Sequence, residues 1–384
     1  MHLKISKLFK IISVFAILVL FFTGCNSGKA DSASNMVNTE SNAEGTTDKN
    51  DAVNEKTEET ESGQTEETES GQTEEVEDAK NALVGTNVIY DRKLTKGKMA
   101  VYYISARAIA EYCDTSLYYG DSSLIIAPDG TTMLIDIQNP ACAPEVVATL
   151  EALGIDTIDY LVISHHHGDH IGGYKTLMRY IDVKNVYCNA FEDETNYLYR
   201  GFMSEIEKKK IPVTYLYEGD SFSFGGVDVE VFHPNKNFKF GADHESMNNG
   251  SVTMKMTYKK STFMFAGDIT TSIENELVQK YGSKLQADIC KMNHHGNEDA
   301  NGTGWIKTVS PKLAISEINM ILSQKIMGRY QLIGATTLCT GVNDTVVVWT
   351  DGDGKYDVQV KTVTDNIYTA LPEDAKDGHF VINK

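Results

Sequence analysis

Four of the chain's ten histidines fall within six positions of the stretch VISHHHGDHIGG, residues 162–173. In extended backbone, residues two apart point the same way. His165 and His167 can therefore aim at one point while His166 faces away as a bystander. Where the chain turns into the next helix, Asp169 and His170 are presented beside that first pair. Imidazole nitrogen and carboxylate oxygen together suit zinc and other borderline divalent metals. Gly168, Gly172 and Gly173 allow the tight path and close backbone approach that such a loop requires.

Two further strands end on similar residues. FMFAGDIT (263–270) closes on Gly267-Asp268, where the carboxylate either caps the following helix or reaches a metal. ICKMNHHGN (289–297) releases His294 and His295, which by themselves are as compatible with a surface loop as with ligation. Taken together, the three loops repeat one order: strand, ligand-type residues, turn. Six of the ten histidines lie in two of them.

The elements that must hold these loops alternate along the chain. KMAVYYIS (98–105), SSLIIAP (122–128) and TTMLIDI (131–137) predict strands, the latter two joined by an Asp129-Gly130 hairpin turn. APEVVATLEALG (143–154) has helical apolar spacing and stops at glycine, and DYLVIS (159–164) is a buried strand running into the histidines. Short helices are expected at 173–180 and 196–209, then a strand-rich stretch, VTYLY, FSF, VDVEVF, SVTMKM and STFMFA. The helical ITTSIENELVQKYG (269–282), the strand ADICKM (287–292), a strand at KLAISE and a helix at 323–334 complete the series. Such a pattern favours a layered α/β fold, two sheets inside and helices outside, in one domain over 85–365 with a loosely held tail at 366–384.

Over roughly residues 98–362 the sequence resembles the metallo-beta-lactamase fold of metallohydrolases, a four-layer αββα sandwich marked by HxHxDH and a later Asp and His. Within it the likeness is to the ComEC-type extracellular hydrolase branch, carried by LIDIQ, SHHHGDHIGG, NNGSV, AGD, KMNHHG, PKLAIS and TDGDG. The resemblance implies that His165, His167, Asp169 and His170 are metal ligands, that Asp268 bridges two ions, and that His294, or His295 in its place, is the last ligand. It also implies that Asp136 supports the histidine loop from behind. Two positions depart from the pattern: Asn248-Asn249, with Ser251 after them, stand where most two-metal relatives have a further histidine, and Gln138 replaces the usual glycine of LIDxG. His244 and His233 lie near the first of these but off the aligned position.

Two divalent cations, zinc or alternatively manganese, lower the pKa of a shared water and supply a nucleophile for hydrolysis. In that scheme Asp169 orients the attacking oxygen, Asp268 holds the ions together, and His295 is the candidate proton donor to the leaving group. The chain has no GxSxG elbow and no Walker loop, which argues against acyl-serine and nucleotide triphosphate chemistry. The branch points to a phosphodiester, extracellular or in the cell wall. A lactone or thioester substrate, or a non-catalytic surface binding module on the same fold, are the alternatives.

The N-terminus speaks to location. Lys4, Lys7 and Lys10 precede an apolar run from Ile11 to Phe22 and then Thr23, Gly24 and Cys25, the layout of a secretory signal peptide over 1–25 ending in a bacterial lipobox-like cysteine. Lipidation there would anchor the protein on the outer face of the cell membrane. Residues 26–84 lack aromatics, repeat TEETESGQ and carry 16 acidic residues against 4 lysines, a net of −12. Such a segment reads as a disordered acidic linker spanning about 40 Å. The domain beyond it still carries about −10 of the formal −19, which argues against a broad nucleic-acid-binding surface. The other cysteines, Cys113, Cys142, Cys188, Cys290 and Cys339, are scattered and odd in number, and read as small apolar core residues.

Overall fold

Alternate residues of one strand, Met99, Val101 and Tyr103, enter one hydrophobic cluster, while Ala100, Tyr102 and Ile104 enter another. That two-residue alternation on a fully buried strand means that both of its faces are covered. The computed structural model describes residues 89–106, 120–375 and 377–383, all within Thr65–Lys384, one of two compact units of the chain. The signal segment with Cys25, the acidic linker and Cys113 lie outside the described residues.

In chain order the strands are β1 (Met99–Tyr103), β2 (Ser123–Ile126), β3 (Thr132–Ile135), β4 (Thr157–Ile158), β5 (Tyr160–Ile163), β6 (Asp182–Val183), β7 (Val186–Cys188), β8 (Val213–Tyr215) and β9 (Ser221–Phe224). They continue as β10 (Val227–His233), β11 (Thr253–Tyr258), β12 (Ser261–Phe265), β13 (Ile289–Lys291), β14 (Leu313–Ser316), β15 (Thr336–Cys339), β16 (Val346–Thr350), β17 (Lys355–Val360) and β18 (His379–Asn383). Nine of them form one sheet in the order β18-β17-β16-β1-β2-β3-β5-β7-β8, and seven form a second in the order β15-β14-β13-β12-β11-β10-β9. The small β4-β6 pair stands apart.

The inner cluster joins the sheets face to face: Val101, Ile125, Met133 and Val162 come from the first, Val229, Met254, Phe263 and Ile289 from the second. On the far side of the first sheet the helices Ala143–Ala152, Tyr174–Tyr180 and Tyr197–Lys209 bury Val147, Leu150, Leu177 and Phe202. On the far side of the second, Thr271–Tyr281, Thr303–Val309 and Gln324–Gln331 bury Ile273, Leu277, Trp305 and Tyr330. The result is the metallo-beta-lactamase arrangement, α, β, β, α. Each such large side chain contributes roughly 1.5–3 kcal/mol of burial.

The Asp129-Gly130 hairpin joins β2 and β3, with Gly130 at φ 96. Cys142, Cys188, Cys290 and Cys339 are buried. The expected loose tail is corrected: β18 pairs antiparallel with β17, matching Val358 to Phe380 and Tyr356 to Ile382, and both Phe380 and Ile382 join the inner core. Pairing with a neighbouring strand and an apolar face inward hold it in place. No described helix is long and apolar enough to cross a membrane.

Candidate metal centre

Parallel neighbours put the right ends together. β3 runs parallel to β5, and β12, β13 and β14 run parallel to one another, so the residues that follow them gather at one edge of the sandwich. From β3 comes Asp136, from β5 the 164–170 loop, from β12 Gly267-Asp268, from β13 His294 and His295, and from β14 Glu317. Asp121 joins them just before β2, whose start lies beside the end of β3.

The first loop is braced from below. Asp136, at φ 59, accepts from the Ser164 backbone N–H (2.7 Å) and hydroxyl (2.6 Å), and from His170 Nδ1 (2.8 Å). His165 Nε2 and His167 Nδ1 face each other at 2.9 Å. His166 turns the other way, its ring 4.6 Å from that of Tyr199 and neither nitrogen partnered. Gln138 also has a left-handed φ of 59, which explains why glycine suits the place, and its amide donates to the Ile104 carbonyl (2.9 Å).

One oxygen is the point of convergence. Asp268 Oδ2 lies 3.1 Å from His170 Nε2, 3.2 Å from His295 Nε2, and 3.9 Å from both His165 Nε2 and His294 Nε2. Gly267 makes the approach possible. Its φ is 55, and a β-carbon there would meet that of Ser251 at 2.7 Å. The Ser251 hydroxyl accepts from the Asp268 N–H (3.0 Å) and lies 3.2 Å from His165 Nδ1, so the NNGSV stretch ties the two loops together.

The HHG doublet divides. His295 Nε2 lies 3.0 Å from Asp169 Oδ2, while its Nδ1 donates to Asp121 Oδ1 (2.8 Å) and the Glu317 carbonyl (3.1 Å). Both nitrogens of His295, the proton-donor candidate read from the sequence, are thus engaged inside a buried cluster. His294 is held at Nδ1 by Asp299 (2.8 Å). Of the two outlying histidines, His233 is buried and donates from Nε2 to the Asn249 carbonyl (2.7 Å). His244 is exposed, its ring 4.2 Å from that of His167. Asn249 Oδ1 accepts from the N–H and hydroxyl of Thr270, both at 2.9 Å, so it serves the helix that follows Asp268.

Three members of the cluster were not singled out from sequence. Asp121, His170, Asp268 and His295 form a buried group whose ligand-type atoms lie within 4.8 Å of one another. Asp121, however, meets His295 at Nδ1, whereas Asp169 meets it at Nε2, so Asp121 stands behind the ring and Asp169 on the side that faces Asp268. Lys291 Nζ pairs with Asp121 and, at 3.3 Å, with Asp268 Oδ1, which leaves Oδ2 free to face the rings. Glu317 accepts from the Ser123 hydroxyl (2.9 Å). A lysine within the apolar strand ADICKM was the available signal; single acids such as Asp121 and Glu317 carry none.

The electrostatics call for cations. Burial opposes charge on Asp268, yet His295, His170 and Lys291 hold its carboxyl well below the usual range. Burial likewise works against charge on His170 and His295, but Asp268 and its fellow carboxylates outweigh it and raise both rings well above the ordinary histidine range. Burial, reinforced by Asp121, pushes Glu317 up to about 8. Asp121, Asp136, Asp169 and Asp268 share the cluster with one lysine among the described residues, Lys291, which pairs with Asp121 and Asp268, and such an N/O donor set fits divalent metal. The spacing agrees as well: metal bonds of about 2.1 Å in a tetrahedron put ligand atoms about 3.4 Å apart. The four imidazole-to-carboxylate distances among Asp169, His170, Asp268 and His295 measure 3.0–3.6 Å.

Residues 117–303, which contain every one of these groups except Glu317, match the sequence profile of the Metallo-beta-lactamase superfamily. The chain carries a metallo-beta-lactamase superfamily domain. This chain is 25% identical over 195 residues to Competence protein ComA of Neisseria gonorrhoeae, covering 50% of this chain and 25% of that protein. It is also 25% identical over 179 residues to ComE operon protein 3 of Bacillus subtilis (strain 168), covering 44% of this chain and 21% of the other. Hydroxyacylglutathione hydrolase of Bdellovibrio bacteriovorus is 28% identical over 123 residues, 32% of this chain and 42% of that enzyme. The chain therefore spans about a quarter or less of the two competence-related proteins it matches.

Proposed function

We propose that this metallo-beta-lactamase domain is a metal-dependent hydrolase of phosphodiesters, held on the outer face of the membrane by a lipid on Cys25. The observation that carries the reading is Asp268 Oδ2, on which four imidazole nitrogens converge beside Asp169. Bound at such a site, divalent cations polarise the scissile oxygen and make water acidic enough to attack at neutral pH. The protein's own part is placement. Asp136, Asp121 and Asp299 each hold one ring by Nδ1, so that its Nε2 points at the reacting space. Lys291 fixes the second oxygen of Asp268. Asp169, His167 and His294 are only partly buried and form the open side, with exposed His244 beside them, where a substrate can enter.

Support for a phosphodiester comes from the order and spacing of the branch motifs, and from a domain whose negative charge bound cations would reverse only locally, at the cluster. The likeness to hydroxyacylglutathione hydrolase favours a thioester as the second reading. The full-length protein, loaded with zinc or manganese, is to be assayed on bis(p-nitrophenyl) phosphate, S-lactoylglutathione and a simple lactone. Turnover of the diester, lost in Asp268→Ala, is expected. Thioester turnover without diester turnover would transfer the assignment, and metal-loaded protein inert on all three would favour a binding module.

A further inference from the structure

We infer that the His294–His295 doublet is shared between two cations, His295 completing the set of Asp169, His170 and Asp268, and His294 completing that of His165, His167 and Asp268. The inference rests on the metal-dependent reading above, and it fills a gap in it: at the position of the further histidine this chain has asparagine.

Neighbouring residues in extended backbone point to opposite sides. Here both histidines adopt the left-handed region, His294 at φ 44, ψ 53 and His295 at φ 55, ψ 14. Consecutive non-glycine residues in that region are strained, and such strain persists where surroundings over-determine it. Its effect is to bring both Nε2 atoms toward the same oxygen, at 3.9 and 3.2 Å. The rings stay 5.7 Å apart and flank different partners. His295 lies by His170, rings 5.2 Å apart. His294 and His167 share a neighbour instead, the His244 ring, which is 4.2 Å from that of His167 and 6.3 Å from that of His294.

The bracing is the second observation. His170, His295 and His294 share one build, Nδ1 held at 2.8 Å by a carboxylate (Asp136, Asp121 and Asp299 respectively) and Nε2 directed at Asp268 Oδ2. A carboxylate behind a histidine fixes its tautomer and ring direction for metal binding. A surface histidine has no need of it: His244 Nδ1 meets the Asn248 amide nitrogen at 3.5 Å, not a carboxylate. Asn248 is the rival third ligand: its Nδ2 lies 3.4 Å from His294 Nε2, while its buried Oδ1 has no hydrogen-bond partner.

The test is metal content. Full-length wild type, His294→Ala, His295→Ala, Asn248→Ala and Asp299→Asn are loaded with zinc, desalted and their bound zinc counted, with cobalt spectra recorded in parallel and circular dichroism confirming the fold. Wild type should hold two ions, each histidine variant one, with different cobalt spectra, and Asn248→Ala two. Asp299→Asn, a mild change at an exposed carboxylate, should weaken one ion by about tenfold and spare the other. Two ions with an unchanged spectrum in His294→Ala would overturn the inference, as would one ion in wild type, or loss of an ion in Asn248→Ala alone. Two ions in wild type and one in His294→Ala, without turnover of any ester, would uphold it while sinking the hydrolase reading; turnover with both ions kept in His294→Ala would do the reverse.

Discussion

Among single residues, His166 and Lys291 show how side-chain direction separates roles inside one motif. His166 sits between two histidines whose rings face each other, yet its buried ring meets Tyr199 and Phe191 and bonds nothing. Phenylalanine keeps that packing and removes two unpaired nitrogens, which is nearly neutral or stabilising. His166→Phe should therefore keep metal content and turnover within about twofold and not lower Tm. His167→Ala serves as the contrast and should lose an ion. Lys291 is the reverse case, a buried cation between Asp121 and Asp268. Lys291→Met strands two buried carboxylates, a change that costs about 3–5 kcal/mol when one partner of a buried pair is removed. The loss should be largest in chelator and shrink on adding zinc, and equal Tm values in chelator for variant and wild type would refute its counter-charge role. The alternation of His165, His166 and His167 was legible in the sequence because strand geometry dictates it. Which ring of His294-His295 turns inward was not, because two left-handed residues in a row follow no periodic rule.

At the level of elements, the helix Thr271–Tyr281 does more than cover the second sheet. Its buried Glu274 accepts from Asn293 Nδ2 (2.6 Å), the Asn301 N–H (2.6 Å) and the Gly302 N–H (2.7 Å), and so clamps both ends of the loop that carries the doublet. Burial pushes this carboxyl up to about 7 despite those three donors. A folded value above the unfolded one means that the folded state keeps a proton which the unfolded state releases. Glu274 thus contributes stability that is full below pH 4.5 and lost as pH rises to about 7. Glu274→Gln, which turns an NH2 toward the Gly302 N–H, should cost about 1–3 kcal/mol at pH 5. The gap to wild type should narrow toward pH 8 in urea melts; a gap that widens instead would contradict the raised value. Most elements before 334 were readable from apolar period and turn residues. β18 was not, because HFVIN is short, follows a polar stretch, and gains its stability from a partner strand more than twenty residues earlier.

For the molecule as a whole, charge matters more than any single contact. The domain carries about −10 and presents its cation-demanding cluster at one edge of the sandwich. Like charges repel over roughly a Debye length, about 10 Å at 0.1 M salt. If the substrate is a polyanion, kcat/KM on it should rise several-fold between 20 and 150 mM salt, while that on bis(p-nitrophenyl) phosphate changes little. A fall with salt on the polymer would point to a basic binding surface contributed by something other than this domain. Composition made that prediction possible before any fold was known, whereas the braces at Asp121, Lys291 and Glu317 needed the strands to be assembled first.

The same edge also joins the two halves of the chain. His165, His167, Asp169 and His170 come from before the exposed 236–243 stretch, and Asp268, His294 and His295 from after it. Divalent cations held by both sets, as proposed, would act as a removable staple across the seam between the sheets, supplementing the β1–β16 and β10–β11 pairings. Protein nicked within 236–243 should accordingly elute as one species in zinc and come apart more readily once a chelator is added. The supply of metal would then set how long a cut or strained molecule survives, as well as whether its site is complete.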